Sequence, residues 1–246
     1  MSFLLRRLVL IAPLLLAAAP LAAEEPSTAE TERVQRIVRD YLQQHPEVII
    51  EAIKSYQDKR AAAEAGKARQ TISALQDELL RDPASPVGAN PAGDVSIVEF
   101  FDYRCPYCKA VAPDLAKALA ADGKVRLIYK EFPILGSSSM LAAKAALASQ
   151  QQGKYIPFHE KLIAFKGNLD EVAIYAMAAD IGLDVAKLKS DMQKPEIDAA
   201  IQRNYKLADK LAIQGTPAFV IGSELLPGAA SVDELTAAIR RARSGG

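Results

Sequence analysis

The chain has 246 residues, and its 30 basic and 30 acidic side chains cancel at neutral pH. That balance gives no basic face of the kind that holds nucleic acid, and an apolar share of 50% is enough for one good core with an appendage. The absence of tryptophan and the many alanines point to a helix-rich protein.

The first residues read as an export signal. Arg6 and Arg7 form a positive start, and Leu8 to Ala19 an apolar stretch too short to span a bilayer comfortably. Residues 1–23 are expected to be removed by cleavage near Ala23, with Leu21 at the minus-three position. Pro13 and the small-residue end suit processing better than a retained anchor, and no cysteine lies nearby for a lipid anchor. Export, here to the periplasm, places the chain in an oxidising compartment and leaves it close to neutral.

Residues 24–80 are charged, alanine-rich and helical in period. Val34, Ile37, Val38, Tyr41 and Leu42 make one apolar stripe. His45-Pro46 breaks it, with Pro46 suited to the first position of a second helix and Glu47 to its first turn. That helix carries Ile49, Ile53 and Tyr56, then Ala61, Ala65, Ala68, Ile72, Leu75 and Leu79 at alternating four and three spacing, a short heptad seam. A helix with so few large residues is marginal alone and needs a partner, either the chain's own following domain or another copy of the segment. Residues 81–93, with Asp82-Pro83, Ser85-Pro86, Asn90-Pro91 and two glycines, read as a linker and set a domain boundary near residue 90.

After the linker, Val95 to Phe101 has the length and branching of a buried strand. A helix is expected to begin at Cys105-Pro106-Tyr107-Cys108, run on through Leu115 to Ala120 with a kink near Pro113, and stop at Asp122-Gly123. Val125 to Tyr129 is then a second strand, which completes a parallel βαβ unit. Helices follow over 140–151, 155–165, 170–179, 185–192 and 196–211, separated at Gly153, Gly167-Asn168, Gly182 and Pro195. Ala218 to Ile221 returns to strand pattern, Gly222-Ser223 turns, Glu224 to Leu226 is a short last strand, and Val232 to Arg241 is a final helix capped by Ser231. The order gives an α/β chain: a thioredoxin fold over residues 94–246 with a helical domain inserted at about 137–211, preceded by an N-terminal helical stalk.

Cys105 and Cys108 are the chain's only cysteines. Two thiols separated by two residues at a helix start can close a small ring, and so hold or hand over two electrons. Cys105 would meet free backbone N–H groups and the positive dipole end, which favour thiolate over thiol, so it is expected to attack. Cys108, one turn further in and more buried, is expected to resolve the mixed disulfide. Pro106 and Tyr107 shape the loop around the thiolate. A purely structural bridge is disfavoured, since so small a loop removes little entropy from the unfolded chain. Two sulfurs fall short of a closed zinc site, and His45 and His159 lie far off in sequence, so no metal centre and no other cofactor is expected, although the soft thiols suit transient Cu(I).

Glu99 is an acid in an otherwise apolar strand, six residues before Cys105. Two uses are open: relaying the proton of Cys108 from beneath the pair, or an ion pair with Lys130 at a sheet edge. Thr216-Pro217 opens the returning strand, where a central trans proline would be awkward. A cis bond there would bring the Thr216 backbone beside the cysteines, free to pair with an extended substrate segment.

Taken together, Glu99-Phe100-Phe101, the motif from Cys105 to Cys108, the helical insert and Gly215-Thr216-Pro217-Ala218-Phe219 resemble the DsbA-like family of periplasmic thiol-disulfide oxidoreductases, over residues 94 to about 243. The resemblance implies Cys105 as nucleophile, Cys108 as resolving thiol, Glu99 as buried acid and Pro217 as the cis-proline of the substrate groove. Upstream, Tyr41-Leu42 and His45-Pro46-Glu47-Val48-Ile49 are similar to the N-terminal helical region of ScsC-like and Com1-like members, in which such an extension supports oligomers. Monomeric DsbA lacks it, and the chain also departs from that enzyme in Tyr107, where DsbA has histidine.

The resemblance therefore implies a homo-oligomer, dimer or trimer, through residues 24–80, acting as isomerase or reductase on misfolded exported proteins and kept reduced by a membrane thiol-disulfide partner. Several sites around one held client raise the effective thiol concentration. Two other readings stand beside it: a disulfide-forming oxidase, and an envelope binding or structural protein whose thioredoxin domain is a redox-inert scaffold.

Overall fold

The structure is a computed structural model that describes residues 27–245; the export signal expected over residues 1–23 lies outside the described residues. The chain divides into two compact units between Gln57 and Asp58. In the first, helix α1 (Thr28–Gln44) starts on Ser27, whose Oγ accepts from the Glu30 N–H at 3.3 Å, and stops at His45, whose N–H donates to the Tyr41 carbonyl. Pro46 has no N–H with which to continue the ladder, and α2 (Glu47–Ala74) begins at the next residue, with the Glu47 carboxylate 3.0 Å from His45 Nδ1. The expected stripe is present and uncovered: Val34, Ile37, Val38 and Tyr41 on α1, and Ile49, Ile53 and Tyr56 on α2, are all exposed.

The second unit takes the rest of α2, the single turn and more of α3 (Gln76–Leu80), and a five-stranded sheet. Along the sheet the strands run β1 (Val87–Ala89), β3 (Val125–Glu131), β2 (Val95–Phe101), β4 (Ala218–Ile221) and β5 (Glu224–Pro227). Only β2 and β3 are parallel, and α4 (Pro106–Asp122) makes the crossover between them, ending on Gly123 in the left-handed region at φ 70°. Five helices, α5 (Ser137–Ser149), α6 (Tyr155–Ala164), α7 (Glu171–Asp180), α8 (Val185–Asp191) and α9 (Pro195–Lys210), are inserted between β3 and β4. The chain returns through β4 and β5 to α10 (Val232–Arg243), which opens on a reciprocal cap between Ser231 and Glu234. This is the thioredoxin fold with a helical insert that the sequence predicts.

Alternation along the strands divides the core in two. Ile97 and Phe101 of β2, Leu127 of β3 and Phe219 of β4 face α4, α10 and most of the insert. Val98 and Phe100, with Ile128 and Val220, face the other way, onto Leu207 and Leu211 of α9 and its exit and onto Ile72 and Leu79 of α2 and α3. Burial on both faces is why β2 reads as a continuous apolar run.

That second face corrects two expectations. Residues 81–93, read as a linker, belong to the sheet domain. Val87–Ala89 pairs antiparallel with β3, continued by Tyr129 N–H to the Pro86 carbonyl and Asn90 N–H to the Val125 carbonyl, both 3.0 Å. The prolines and asparagine that suggest a linker form the turns of a short edge strand: Asp82 and Asn90 accept from the N–H two residues on, at 3.0 Å each. Bulk is excluded from that strand, since a Cβ on Gly88 would lie 2.9 Å from the Tyr129 ring.

The heptad seam is corrected likewise. Of its last three large residues, Ile72 and Leu79 are buried against the sheet of their own domain and Leu75 packs partly buried beside them, because a stripe at three and four spacing suits sheet-capping as well as it suits a coiled coil. The ε-amino group of Lys130 fixes the cap by donating to the Glu78 carbonyl at 2.7 Å and Ser85 Oγ at 2.8 Å. Leu79→Ala should therefore lower the stability of the full chain by about 2–4 kcal/mol in urea unfolding, as for other buried leucines. A loss below about 0.5 kcal/mol, the scatter of surface substitutions, would return residues 72–80 to a role outside the domain.

Candidate active site

Strand β2 delivers the chain at Phe101 into a tight turn built on Asp102. Its carboxylate accepts from the Arg104 N–H at 2.7 Å, the Leu135 N–H at 2.9 Å and Ser139 Oγ at 2.8 Å, while its carbonyl takes the Cys105 N–H at 3.1 Å. The turn leaves Cys105 as the N-cap of α4, in extended backbone conformation, with Pro106 in the first helical turn. Proline is at ease there because its missing N–H has no helical partner to lose.

Cys105 is nearly covered, at 4% exposure, and its Sγ–H donates to the Thr216 carbonyl at 3.2 Å. Thr216-Pro217 is a cis peptide at the entry to β4, so the structure brings Cys105, Thr216 and Pro217 together as the sequence suggests. Pro106 is exposed, and Tyr107 presents 65% of its surface to solvent beside the pair. Both cysteines are free thiols, and Cys108 is fully buried. Burial pushes the Cys108 thiol far up, reinforced by the nearby Cys105 and Glu99 charges and opposed by hydrogen bonding from the Asp102 backbone and the Thr216 side chain.

Glu99 sits in the middle of β2, between Tyr129 of β3 and Phe219 of β4, and is 4% exposed. Burial raises its carboxyl to about 8. It does not pair with Lys130, which corrects that reading: Lys130 lies opposite Phe100 in the register and so points to the other face. There its ammonium is lowered to about 8 by burial, against the pull of Asp82 at 3.8 Å.

A buried polar cluster under the turn escapes the sequence reading. Glu131 Oε1 accepts from Tyr103 at 2.9 Å and Tyr155 at 2.7 Å, and the Tyr103 hydroxyl also lies 3.0 Å from His159 Nδ1. Glu131 Oε2 has no partner among the described residues, and burial pushes the carboxyl well above its ordinary range. His159 is lowered to about 3 by burial and stays neutral. The available signals were the acid closing an apolar strand at Glu131 and the rarity of histidine, but neither names its partners.

The arrangement can perform dithiol chemistry: one sulfur at the protein edge beside a strand-entry carbonyl, and a second sulfur beneath it that must lose a proton before it can attack. No group of three or more His, Cys, Asp or Glu side chains lies together among the described residues as a metal site. Cys105 and Cys108 are the only thiols of the chain, and soft sulfur suits Cu(I).

Residues 96–240 match the family described as DSBA-like thioredoxin domain, and residues 30–63 match the Copper resistance protein ScsC N-terminal domain. A thioredoxin-like oxidoreductase from Silicibacter pomeroyi DSS-3 is similar at 45% identity and a TM-score of 0.68, over 70% of this chain and 99% of that one. Proteus mirabilis ScsC in a transitional conformation is similar at 32% identity and a TM-score of 0.66, over 90% of this chain and 100% of that one. The thiol:disulfide interchange protein DsbA of Bordetella parapertussis is 29% identical over 149 residues, 57% of this chain and 69% of that protein. The chain spans only 24% and 29% of the first curated relatives it matches, Na(+)/H(+) antiporters of Salinispora arenicola and Salinispora tropica.

The raised carboxyl of Glu99 carries a pH signature. Because its folded value of about 8 lies above the ordinary 4.5, its contribution to stability is complete below about pH 4.5 and is lost as pH rises toward 8. Glu99→Gln should remove that decline and raise stability at neutral pH, by on the order of 2 kcal/mol after allowance for relaxation around the carboxyl. Urea unfolding of both proteins across this range checks it; parallel stability profiles would show that Glu99 is not held neutral by the fold.

Proposed function

Since the chain belongs to the DsbA-like thioredoxin domain family, we propose that it is an exported thiol-disulfide oxidoreductase that exchanges disulfides with protein clients through Cys105 and Cys108. One observation carries the reading: the Cys105 thiol stands at the head of α4, hydrogen-bonded to the Thr216 carbonyl at 3.2 Å, while Cys108 lies buried behind it. An extended client segment pairing with the Thr216 backbone displaces that contact and presents its own sulfur to Cys105. A mixed disulfide forms, and Cys108 resolves it once Glu99 has accepted its proton. Pro106, Tyr107 and Pro217 line the approach.

The direction of exchange follows from assembly. The exposed stripe of Val34, Ile37, Val38, Tyr41, Ile49, Ile53 and Tyr56 is the kind of apolar face that a second copy covers, and the match of residues 30–63 to the ScsC N-terminal domain supports the same use. An oligomer brings several thiol pairs to one client, which favours reshuffling of wrong bridges over their simple formation. This reading is an isomerase or reductase in the periplasm, kept reduced by a membrane thiol-disulfide partner and acting on misfolded exported proteins. The similarity to DsbA of Bordetella supports a second reading, a disulfide-forming oxidase.

Solution mass and refolding of a scrambled-disulfide substrate separate the two. The full chain is expected to be oligomeric and to recover native disulfides, whereas deletion of residues 27–57 should leave a monomer that still reduces a small disulfide substrate but has lost isomerisation. Cys105→Ser should abolish both activities, and Cys108→Ser should accumulate client trapped on Cys105. A full-length protein that is monomeric, or whose Cys105→Ser variant still isomerises, sinks the proposal.

A further inference from the structure

Glu131 Oε2 is the one enclosed side-chain oxygen or nitrogen without a hydrogen-bond partner among the described residues. The Glu99 carboxyl, the Tyr129 hydroxyl and His159 Nε2 also make no hydrogen bond there. They are not enclosed, so each borders open space although the three residues are only 4%, 7% and 7% exposed. That space is a cavity of about 430 Å³ between α4, β3 and α6, which all three residues line. Glu99 and Tyr129 are register partners on neighbouring strands, and the Tyr129 and His159 ring centres lie 4.5 Å apart, so the three polar groups converge. The rest of the lining is largely apolar, with Leu115 and Leu119 from α4 and Ile156 and Ile163 from α6. An apolar cavity of several hundred Å³ with a few convergent polar groups is the form that small-molecule sites take.

The chemistry of a fitting molecule follows from those groups. The Tyr103 hydroxyl gives its proton to Glu131 Oε1 at 2.9 Å, so at the 3.0 Å contact with His159 the ring nitrogen Nδ1 is the donor. Nε2 of the neutral ring is then a bare acceptor. Glu99, neutral at pH 7 because burial raises it to about 8, is a donor. The cavity thus offers one proton and asks for another. No lysine or arginine lines it, and exposed Glu160 stands at its edge, which turns anions away. Ala112 and Ala116, about one helical turn apart, keep the α4 wall shallow, which suits a flat ring.

We propose that this cavity is a binding site for a small neutral aromatic alcohol, a phenol, whose ring lies on Ala112 and Ala116 and whose hydroxyl accepts from Glu99 and donates to His159 Nε2. A hydroxyl meets both groups through a single oxygen. A carbonyl leaves Nε2 unmet, and an ammonium brings a charge whose desolvation the apolar walls do not repay. Neither cysteine, nor Thr216, nor Pro217 lines the cavity, so a bound molecule leaves the client approach open. It lies instead behind the pair, since Ala112 follows Cys108 by about one turn of α4.

His45 and His159 are the chain's only histidines, so nitrogen NMR of the full chain labelled with 15N-histidine reads the site directly. Titration with 2-naphthol should move the His159 Nε2 signal upfield, as its lone pair takes the hydroxyl proton, and leave His45 unmoved. Naphthalene, which lacks the hydroxyl, should bind about tenfold more weakly, the upper end of what one net hydrogen bond contributes, and 2-naphthoate should not bind. Ala116→Phe adds bulk at an exposed position on the cavity wall and should abolish the His159 response while the thermal unfolding of the protein stays as it was. A His159 signal that 2-naphthol does not move overturns the proposal. So does a response at His45 alone, which places the molecule on the exposed N-terminal stripe, or binding of naphthalene or 2-naphthoate as tight as that of 2-naphthol.

Discussion

A sheet buried on both faces needs two independent covers, and this requirement organises the domain. The first face receives α4, α10 and most of the inserted helices. The second would be left bare by that arrangement, since among the crossover and inserted helices only α9 reaches it. Ile72 and Leu79 complete the cover, and with them the end of α2 and the whole of α3 become part of the domain. Each leucine-sized side chain so buried contributes about 1.5–3 kcal/mol relative to exposure. That is a large fraction of the few kcal/mol by which domains are stable.

The same two-sided burial separates the two ionisable groups at the centre of the sheet. Strand alternation sends Glu99 toward α4 and α6 and Lys130 toward α3. On its side Lys130 finds the Glu78 carbonyl, Ser85 Oγ and the Asp82 carboxylate. A buried amine so well supplied with acceptors is a fastening. Glu99 finds no such partners and looks onto a cavity, with the charge-sensitive Cys108 nearby. An acid that is buried, unpaired and reachable by water can change its protonation during a reaction, which a paired acid resists. Had the two groups shared a face they would have neutralised each other, and neither task would be served.

Much of this was legible in the sequence because it is local. The spacing of Cys105 and Cys108, the apolar run of Val95–Phe101, the breaks at Gly153 and Gly182, and Ser231 ahead of α10 each report on residues a few positions away. What escaped is long-range. Strand β1 has three residues and a glycine that must stay small beneath Tyr129, so it carries no hydrophobic signature and its turns imitate a linker. The stripe ending in Ile72 and Leu79 was visible, but a stripe shows only that something covers it, not what. Lys130 as a partner for Glu99 failed for a related reason: nearness of strands was foreseen, while the register that puts them on opposite faces was not. The Tyr103–Glu131–His159 contacts join residues 28 and 56 positions apart, beyond the reach of any periodicity.

These corrections move the question of assembly to a smaller segment. If copies of the chain gather through the N-terminal helices, residues 81–93 cannot set the reach of each thiol pair, because they are strand and turn of the domain itself. Nor can Ile72 and Leu79 serve a seam between chains, since they are already committed to the sheet. The apolar surface left for association is the stripe before Asp58, carried by Val34, Ile37, Val38, Tyr41, Ile49, Ile53 and Tyr56. At roughly 25 cal/mol for each Å² covered, a handful of half-exposed side chains gives a modest contact. Between that stripe and the buried Ile72 runs an alanine-rich stretch of α2 with Ala61 and Ala65 exposed and Gly66 among them, where little but helix propensity holds the backbone.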